Sequence, residues 1–268
     1  TDDTSSTTYY TYDSADNLIF EEKDNGQMTR AFTTDNVQAY ELMNVQTNGK
    51  QTASFSYNDA GQEISRTGAD TVTRDYDELG RLKTTTAGNA INYIYEPSGN
   101  LLSISTPTET RKYFFVGGNV MEIMKNGAVQ NLIYTPAGIY TDGKYLDGSG
   151  SDIEFAHNGQ NTLGVLAYEP YGGIIDSSQI GQLALTDELR YMGMDSVLYS
   201  GLTDTYLTPL REYDQKNRRF LSKDPLGASG DMNPYLYGRA NPVVFKDPSG
   251  AKAMPDEPSG GSIRIGTL

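Results

Sequence analysis

The stretch Tyr93-Ile94-Tyr95-Glu96-Pro97-Ser98-Gly99-Asn100-Leu101 decides the fold. Aromatic residues alternate with other residues at its start, which is typical of a half-buried strand. Pro97 and Gly99 then supply the backbone angles of a tight turn, and Leu101 begins a second apolar run. The stretch therefore predicts a β-hairpin.

The same pattern recurs along the first half of the chain at a step of about nineteen residues. Its aromatic anchors are Tyr57, Tyr76, Tyr95, Phe115 and Tyr134. A fixed step of this length predicts one hairpin per unit and therefore a ribbon of hairpins. Residues 35–43 have the pattern of a short capped helix, but their place between Tyr12 and Tyr57 favours a diverged copy of the same unit. We interpret the 20 tyrosines as packing residues with a polar tip.

The composition excludes several classes of protein and site. A net charge of −14 argues against nucleic acid or an anionic membrane surface as a partner. The chain has no cysteine and a single histidine, His157, so we expect no metal site and no cofactor. No apolar run approaches the ~18 residues of a spanning helix, so we expect no membrane insertion by this segment. A start at Thr1 without a signal-peptide pattern suggests a piece of a longer chain.

Two Asp-Pro-x-Gly motifs stand near the C-terminus, at Asp224-Pro225-Leu226-Gly227 and Asp247-Pro248-Ser249-Gly250. Each motif alone is typical of a type I turn in which the aspartate caps the backbone. A pair of carboxyl groups held together in a partly desolvated site has a second use, because one can stay protonated while the other takes a proton from water. Which of the two would act as the acid stays open, since a coupled pair titrates as a unit.

The repeats and the motifs after residue 186 resemble the YD-repeat family, which includes the bacterial Rhs proteins, the C subunits of Tc toxin complexes and the teneurins. The resemblance is periodic over residues 9–140, and residues 166–173 are similar to the element that closes the repeats. It is most specific at Glu188–Gly193, at Pro209–Asp214 with Arg219–Leu221, and at Asn233–Gly250, which together resemble the Rhs repeat-associated core.

The resemblance implies an all-β fold, in which YD-repeat hairpins form a ribbon that curls into part of a hollow shell closed by an Rhs-type core domain. It implies hairpins over residues 1–145 and a connecting region with the last YD-like element over residues 146–185. The core domain would span residues 186–250, and a flexible tail residues 251–268. That tail is too short to be the toxin domain that usually follows the core.

The resemblance also implies self-cleavage of the chain just after the second motif, by an intramolecular aspartic-type mechanism. The residues that match the family's catalytic positions are Arg211, Asp224 and Asp247, and the prolines and glycines that shape the two turns are Pro225, Gly227, Pro248 and Gly250. The cut would lie between Ala251 and Lys252. The family commonly has leucine where this chain has Ala251, so we expect the smaller side chain to slow the reaction.

The implied function is that of a C-terminal part of an Rhs-like shell that encapsulates a toxin or effector. The expected partners are a C-terminal toxin cargo, a secretion system or toxin complex, and further copies of the chain, and the expected location is secreted or on a bacterial cell surface. The alternative is a non-catalytic extracellular structural or adhesive subunit that self-associates through its sheet edges. An autoprotease yields a chain that ends near residue 251, whereas a structural subunit keeps its tail.

Overall fold

The computed structural model describes residues 7–24, 26–35, 40–68, 71–135, 138–141, 144–148, 153–158, 161–174, 188–227 and 232–255. Within these ranges the regular elements are β-strands and two short 3-10 turns, at Gly193–Asp195 and Gly238–Ala240. The strands form four sheets in which all pairs are antiparallel. The described part contains no helix long and apolar enough to cross a membrane.

The largest sheet has 13 strands, and their order in space is their order in sequence, so each strand pairs with its neighbours along the chain. These strands are β1 (Thr8–Tyr12), β2 (Leu18–Lys23), β3 (Met28–Thr34), β4 (Leu42–Thr47), β5 (Lys50–Tyr57), β6 (Glu63–Gly68), β7 (Val72–Tyr76), β8 (Leu82–Ala87), β9 (Asn89–Tyr95), β10 (Leu101–Ser105), β11 (Thr110–Val116), β12 (Asn119–Lys125) and β13 (Ala128–Asn131).

The three other sheets follow in sequence. The second sheet holds β14 (Ile133–Thr135), β15 (Gly138–Thr141), β16 (Lys144–Gly148), β17 (Ile153–Asn158) and β18 (Asn161–Ala167). The third holds β19 (Leu198–Ser200), β20 (Thr205–Leu207), β21 (Glu212–Asp214) and β22 (Arg219–Phe220), and the fourth holds β23 (Phe245–Lys246) and β24 (Met254–Pro255).

The pairing register shifts near the end of every odd-numbered strand from β1 to β11. The residues at or opposite these shifts are Tyr12, Thr34, Tyr57, Tyr76, Tyr95 and Phe115. A shift of this kind bends a strand and increases its twist, so a shift in every second strand curves the ribbon. Thr34 takes the anchor position of its unit, which confirms that the chain around residues 35–43 continues the ribbon; residues 36–39 lie outside the described ones.

Side-chain oxygens hold the turns that follow three of these anchors, Tyr12, Tyr57 and Tyr76. Asp13 Oδ1 accepts hydrogen bonds from the backbone nitrogens of residues 15 and 17, each at 2.9 Å. Asn58 repeats this pattern with residues 60 and 62, and Asp77 with residues 79 and 81. Burial acts to raise the pKa of Asp77, but the hydrogen bonds and charge of Arg81 outweigh it and hold that pKa below its usual value. The aspartate of the repeat is therefore the residue that builds the turn.

Residues 188–255 pack against one face of the large sheet. Their buried aromatic side chains join those of β8 to β12 in one hydrophobic cluster. Its largest fully buried members are Tyr113, Tyr171, Tyr191, Tyr206, Tyr213, Tyr237 and Phe220. The Tyr213 hydroxyl donates to the carbonyl oxygen of Tyr171 at 2.9 Å, so a buried polar tip is satisfied, as the packing interpretation predicts.

Buried ion pairs add a second connection between the sheet and residues 188–255. Arg74 on β7 contacts Glu63 Oε1 at 2.5 Å and Glu212 Oε2 at 3.1 Å, and its side chain is fully buried. Arg66 on β6 contacts Asp214 Oδ2 at 2.6 Å. Burial raises the pKa of Glu63 although Arg74 and Arg66 oppose it, so the arginines are what makes a buried carboxylate tolerable.

The structure confirms the predicted all-β fold of a hairpin ribbon closed by a C-terminal domain. The predicted domain limits stay predictions, and the one between residues 145 and 146 falls inside β16. Of the tail predicted at residues 251–268, only residues 251–255 are described, and they include β24. The single histidine, His157, lies in β17 opposite residues of β16 and β18.

We expect Arg74→Met to lower the free energy of unfolding by about 3–5 kcal/mol, because it leaves the buried carboxylate of Glu212 without its cation and removes the nearer of the two cations of Glu63. The matched control is Lys125→Met, since Lys125 pairs with Glu109 at 3.3 Å on the surface and such a pair contributes about 1 kcal/mol or less. Urea unfolding of both variants measures the difference. Equal losses would contradict a special role of the buried network.

Candidate functional site

The structure brings together Arg211, Asp224 and Asp247, which the sequence places far apart. Arg211 directly precedes β21, Asp224 lies shortly after β22, and Asp247 directly follows β23. Arg211 Nη2 lies 3.3 Å from Asp224 Oδ2 and 3.4 Å from Asp247 Oδ2. Because one nitrogen reaches both carboxyl groups, these groups share a single site.

The remaining nitrogens of Arg211 donate to backbone carbonyls. Nη1 donates to the Pro234 oxygen at 2.9 Å, and Nε donates to the Gly250 oxygen. The guanidinium carbon lies 3.6 Å from the centre of the Phe220 ring, and 2% of the side chain is exposed. Burial lowers the pKa of Arg211, while Asp224 and Asp247 act in the opposite direction. The guanidinium is therefore fixed in position by contacts on all of its nitrogens and on one face.

The turn before Arg211 fixes its backbone. Thr208 Oγ1 donates to the Arg211 carbonyl oxygen at 2.7 Å and accepts from the Arg211 nitrogen at 3.1 Å. Pro209 follows the threonine and has the preferred backbone angle for the second position of such a turn.

The two aspartates differ in how many donors surround them. Oδ1 of Asp247 accepts from Ser249 Oγ at 2.9 Å and from three successive backbone nitrogens, those of Gly250 at 2.9 Å and of Ala251 and Lys252 at 3.1 Å. Oδ1 of Asp224 accepts from one backbone nitrogen, that of Leu226, at 2.8 Å. The exposed fraction of the side chain is 18% for Asp224 and 3% for Asp247. Asp224 is therefore the carboxyl group with the greater access to water.

A cavity of about 300 Å³ opens beside the three residues. Its walls include both aspartates, Arg211 and the chain beyond the second motif, and the full lining is Arg211, Asp224, Leu226, Gly227, Asn233, Pro234, Leu236, Arg239, Asp247, Ala251, Lys252 and Ala253. A polar cavity of this volume has room for several water molecules. Water can thus reach the peptide that follows Gly250.

The predicted turn residues adopt the expected backbone. Gly227 and Gly250 both have positive φ, at 68° and 73°. A Cβ atom at Gly227 would meet nothing within 4 Å, whereas one at Gly250 would lie 2.1 Å from Thr208 Oγ1. Gly250 is therefore pressed against the turn that carries Arg211. Pro225 and Pro248 occupy the second position of their turns, as the motif predicts.

Sequence reasoning missed the backbone atoms and the aromatic ring of the site. The carbonyls of Pro234 and Gly250 give no residue-type signal, because every residue has a carbonyl group. Phe220 lies in a segment that resembles the family, but an apolar ring gives no signal of a role in a site. The Thr208-Pro209 pair before Arg211 was the one signal that could have identified the turn. Among the described residues, no group of three or more histidine, aspartate or glutamate side chains could hold a metal ion.

No protein-family model matches the chain. A curated relative, the tRNA3(Ser)-specific nuclease WapA of Bacillus spizizenii, is 30% identical over 162 residues, which cover 50% of this chain and 7% of the relative. The Photorhabdus luminescens Tc holotoxin pore with a mutated TccC3 has a TM-score of 0.44 at 15% identity, over 95% of this chain and 18% of that one. The crystal structure of TcdB2-TccC3 has a TM-score of 0.43 at 16% identity, over 91% and 19%. The chain thus spans less than one fifth of each of these proteins.

We expect Gly250→Ala to lower the free energy of unfolding more than Gly227→Ala does. Both substitutions place a side chain at positive φ, which costs about 1–2 kcal/mol. Only the first also displaces Thr208 from its hydrogen bonds with Arg211, at a further cost of about 1–3 kcal/mol. Urea unfolding of the two variants measures the difference, and equal losses would contradict the close approach at Gly250.

Proposed function

We propose that this chain is a C-terminal part of an Rhs-like YD-repeat shell, and that it cuts its own backbone just after the second Asp-Pro-x-Gly motif. The proposed residues are Arg211, Asp224 and Asp247. The observation that carries the proposal is the guanidinium of Arg211, which contacts both carboxyl groups and the carbonyl oxygen of Gly250. Two carboxyl groups and a cation that contacts a backbone carbonyl are the parts that peptide hydrolysis needs.

The chemistry follows from the charges at the site. A cation that donates to a carbonyl oxygen stabilises the negative charge that develops there when water attacks the carbon. Hydrolysis also requires a group that takes a proton from the attacking water and returns one to the leaving nitrogen. Asp224 and Asp247 lie next to the same cation and line the same cavity, so both are available for these tasks.

The shell role rests on the ribbon and on the curated relative. The hairpin ribbon has a domain packed on one face, as the resemblance implies for the end of a shell. The partial match to WapA, a protein named as a nuclease, supports a place next to a toxin domain. We therefore propose a C-terminal toxin or effector as the cargo, a toxin complex or secretion system as the larger assembly, and a secreted or cell-surface location.

A second candidate function is a structural or adhesive subunit without catalysis. Two observations favour it: Oδ1 of both aspartates builds a turn, and β1 and β13 are edge strands of the large sheet. Unpaired backbone groups at such edges are templates for pairing with another copy. This candidate keeps the tail covalently attached, so the mass of the chain separates the two functions.

We expect the intact mass of the freshly purified parent chain to show a loss of the tail near residue 251. Asp224→Asn removes the more exposed carboxylate and is expected to leave the chain at full length. The control is Asp77→Asn, which weakens a similar aspartate turn whose carboxyl group pairs with Arg81 and not with Arg211, and it should be cut like the parent. A parent chain that stays at full length after prolonged incubation would overturn self-cleavage and favour the structural subunit.

We expect Ala251→Leu to release the tail about tenfold faster. Ala251 lines the cavity together with Leu226 and Leu236, so a larger apolar side chain gains burial worth about 2 kcal/mol. If most of this free energy of burial holds the peptide in its reactive position, the cleavage rate rises about tenfold. Ala253→Leu, also at the cavity wall, is the control. An unchanged or slower rate for Ala251→Leu would contradict the idea that Ala251 slows the cut.

A further inference from the structure

We infer that the outer face of the large sheet, over β9 to β13, is the contact surface for a second copy of this chain. The outer face is the side of the sheet that is turned away from residues 188–255. The inference does not rest on self-cleavage, because it involves neither Arg211 nor the two aspartates. It concerns a sheet face and not the sheet edges of the structural alternative.

The pairing register places apolar side chains on this face. Tyr113 on β11 pairs with Ile123 on β12, and both belong to the buried cluster on the inner side. Because side chains alternate along a strand, Phe114 and Met124, the next residues on these two strands, lie on the outer face. The side chain of Phe114 is 43% exposed, and that of Met124 is half-buried.

A continuous row of paired residues crosses all five strands on this face. It consists of Ile94, Ser103, Lys112, Met124 and Val129. Paired residues of neighbouring strands lie about 4.5–5.5 Å apart, so the members of the row are in contact range. Its two ends, Ile94 and Val129, are 54% and 46% exposed. We call Ile94, Phe114, Met124 and Val129 the outer patch.

The same face is different over β5 to β8, where hydroxyl groups replace the apolar side chains. Ser54 Oγ lies 2.6 Å from Thr67 Oγ1, and Ser56 Oγ lies 2.7 Å from Ser65 Oγ. Such a surface is well suited to contact with water. A contiguous exposed apolar patch, in contrast, marks an interaction site. The outer patch therefore distinguishes the β9 to β13 end as a contact surface.

Two charged residues within the outer patch indicate which partner it fits. Phe114 pairs with Glu122, and Lys112 pairs with Met124. These four residues are the corners of a rectangle, with Lys112 and Glu122 on one diagonal and the two apolar residues on the other. Within the described part of the chain, neither Lys112 nor Glu122 forms an ion pair. Each charge is thus available to a partner.

This arrangement is self-complementary. Consider a second copy placed face to face, with the two-fold axis in the interface along the diagonal from Phe114 to Met124. The rotation places Lys112 of one copy opposite Glu122 of the other, twice, and brings the two Phe114 rings together. A two-fold interface between identical chains requires this kind of match. One positive and one negative charge on the same patch therefore favour a second copy over a partner of uniform charge.

The expected dimer is weak and reversible. Each copy has a net charge of −14, which opposes association, although the patch itself is neutral. At about 0.15 M salt, charges more than about 8 Å apart are largely screened, so the local pairs dominate. The row spans about 20 Å across its five strands, which is small for a specific interface. We therefore expect a dissociation constant of about 10–100 μM.

Sedimentation velocity over a concentration series of the parent chain tests the inference, and we expect a monomer–dimer equilibrium. Phe114→Ser is expected to weaken the dimer about tenfold or more, because Phe114 lies at the centre of the contact. The matched control is Leu79→Ser, since Leu79 is 77% exposed but lies in a turn outside the outer patch. This control should associate like the parent. A parent chain that stays monomeric at its highest soluble concentration would overturn the inference.

Reversal of the two charges tests the two-fold arrangement. Lys112→Glu places like charges opposite each other and is expected to weaken the dimer about tenfold. Adding Glu122→Lys to this variant should restore association, which a misfolded protein could not show. A dimer unaffected by Phe114→Ser and by Lys112→Glu would overturn the inference and leave the edge strands as the interface. The outer patch lies before residue 250, so these results are independent of whether the tail is cut.

Discussion

An aspartate oxygen that holds a backbone turn is the interaction on which this structure depends. At three reversals of the chain in the large sheet, the residue after the aromatic anchor supplies an acceptor for the backbone of the turn. Asp13, Asn58 and Asp77 all accept from the nitrogens two and four positions later. Because this contact is local and repeated, it sets the length of each hairpin and the spacing of the aromatic residues that pack below it.

The candidate site uses the same turn for a different purpose. In the repeats the second atom of the side chain is held by a neighbour within the turn, as Asp13 Oδ2 is by Asn17 and Asp77 Oδ2 by Arg81. At Asp224 and Asp247 that second oxygen faces Arg211 instead. A turn residue therefore becomes part of a site when its partner comes from another part of the chain. The same kind of side chain, an aspartate at the start of a turn, thus serves both the fold and the proposed chemistry.

The difference between contacts within a turn and contacts between distant parts of the chain explains what the sequence could predict. The ribbon can be predicted because its signals are local. They are the alternation of aromatic and other residues in the strands, the turn residues, and the step between anchors such as Tyr57 and Tyr76. The pairing of Arg74 with Glu212 is not readable, because residues so distant in sequence leave no periodic signal. At the site, Arg211 and its aspartates could be grouped by family resemblance. The Gly250 carbonyl could not, because a backbone atom is positioned by folding and not by residue type.

The strand order of the large sheet has a consequence for how the protein is made. Since every strand pairs with its sequence neighbours, the sheet can grow strand by strand during synthesis, without long loops to close. Its inner face, however, is covered by residues that are translated after it, and contacts such as that between Arg218 and Glu21 join parts of the chain that are far apart in sequence. The tyrosines of the nascent ribbon are therefore exposed to water until those later residues have been made. The segment that completes the core also brings Arg211 to Asp224 and Asp247, so vectorial folding places assembly of the site after assembly of the sheet.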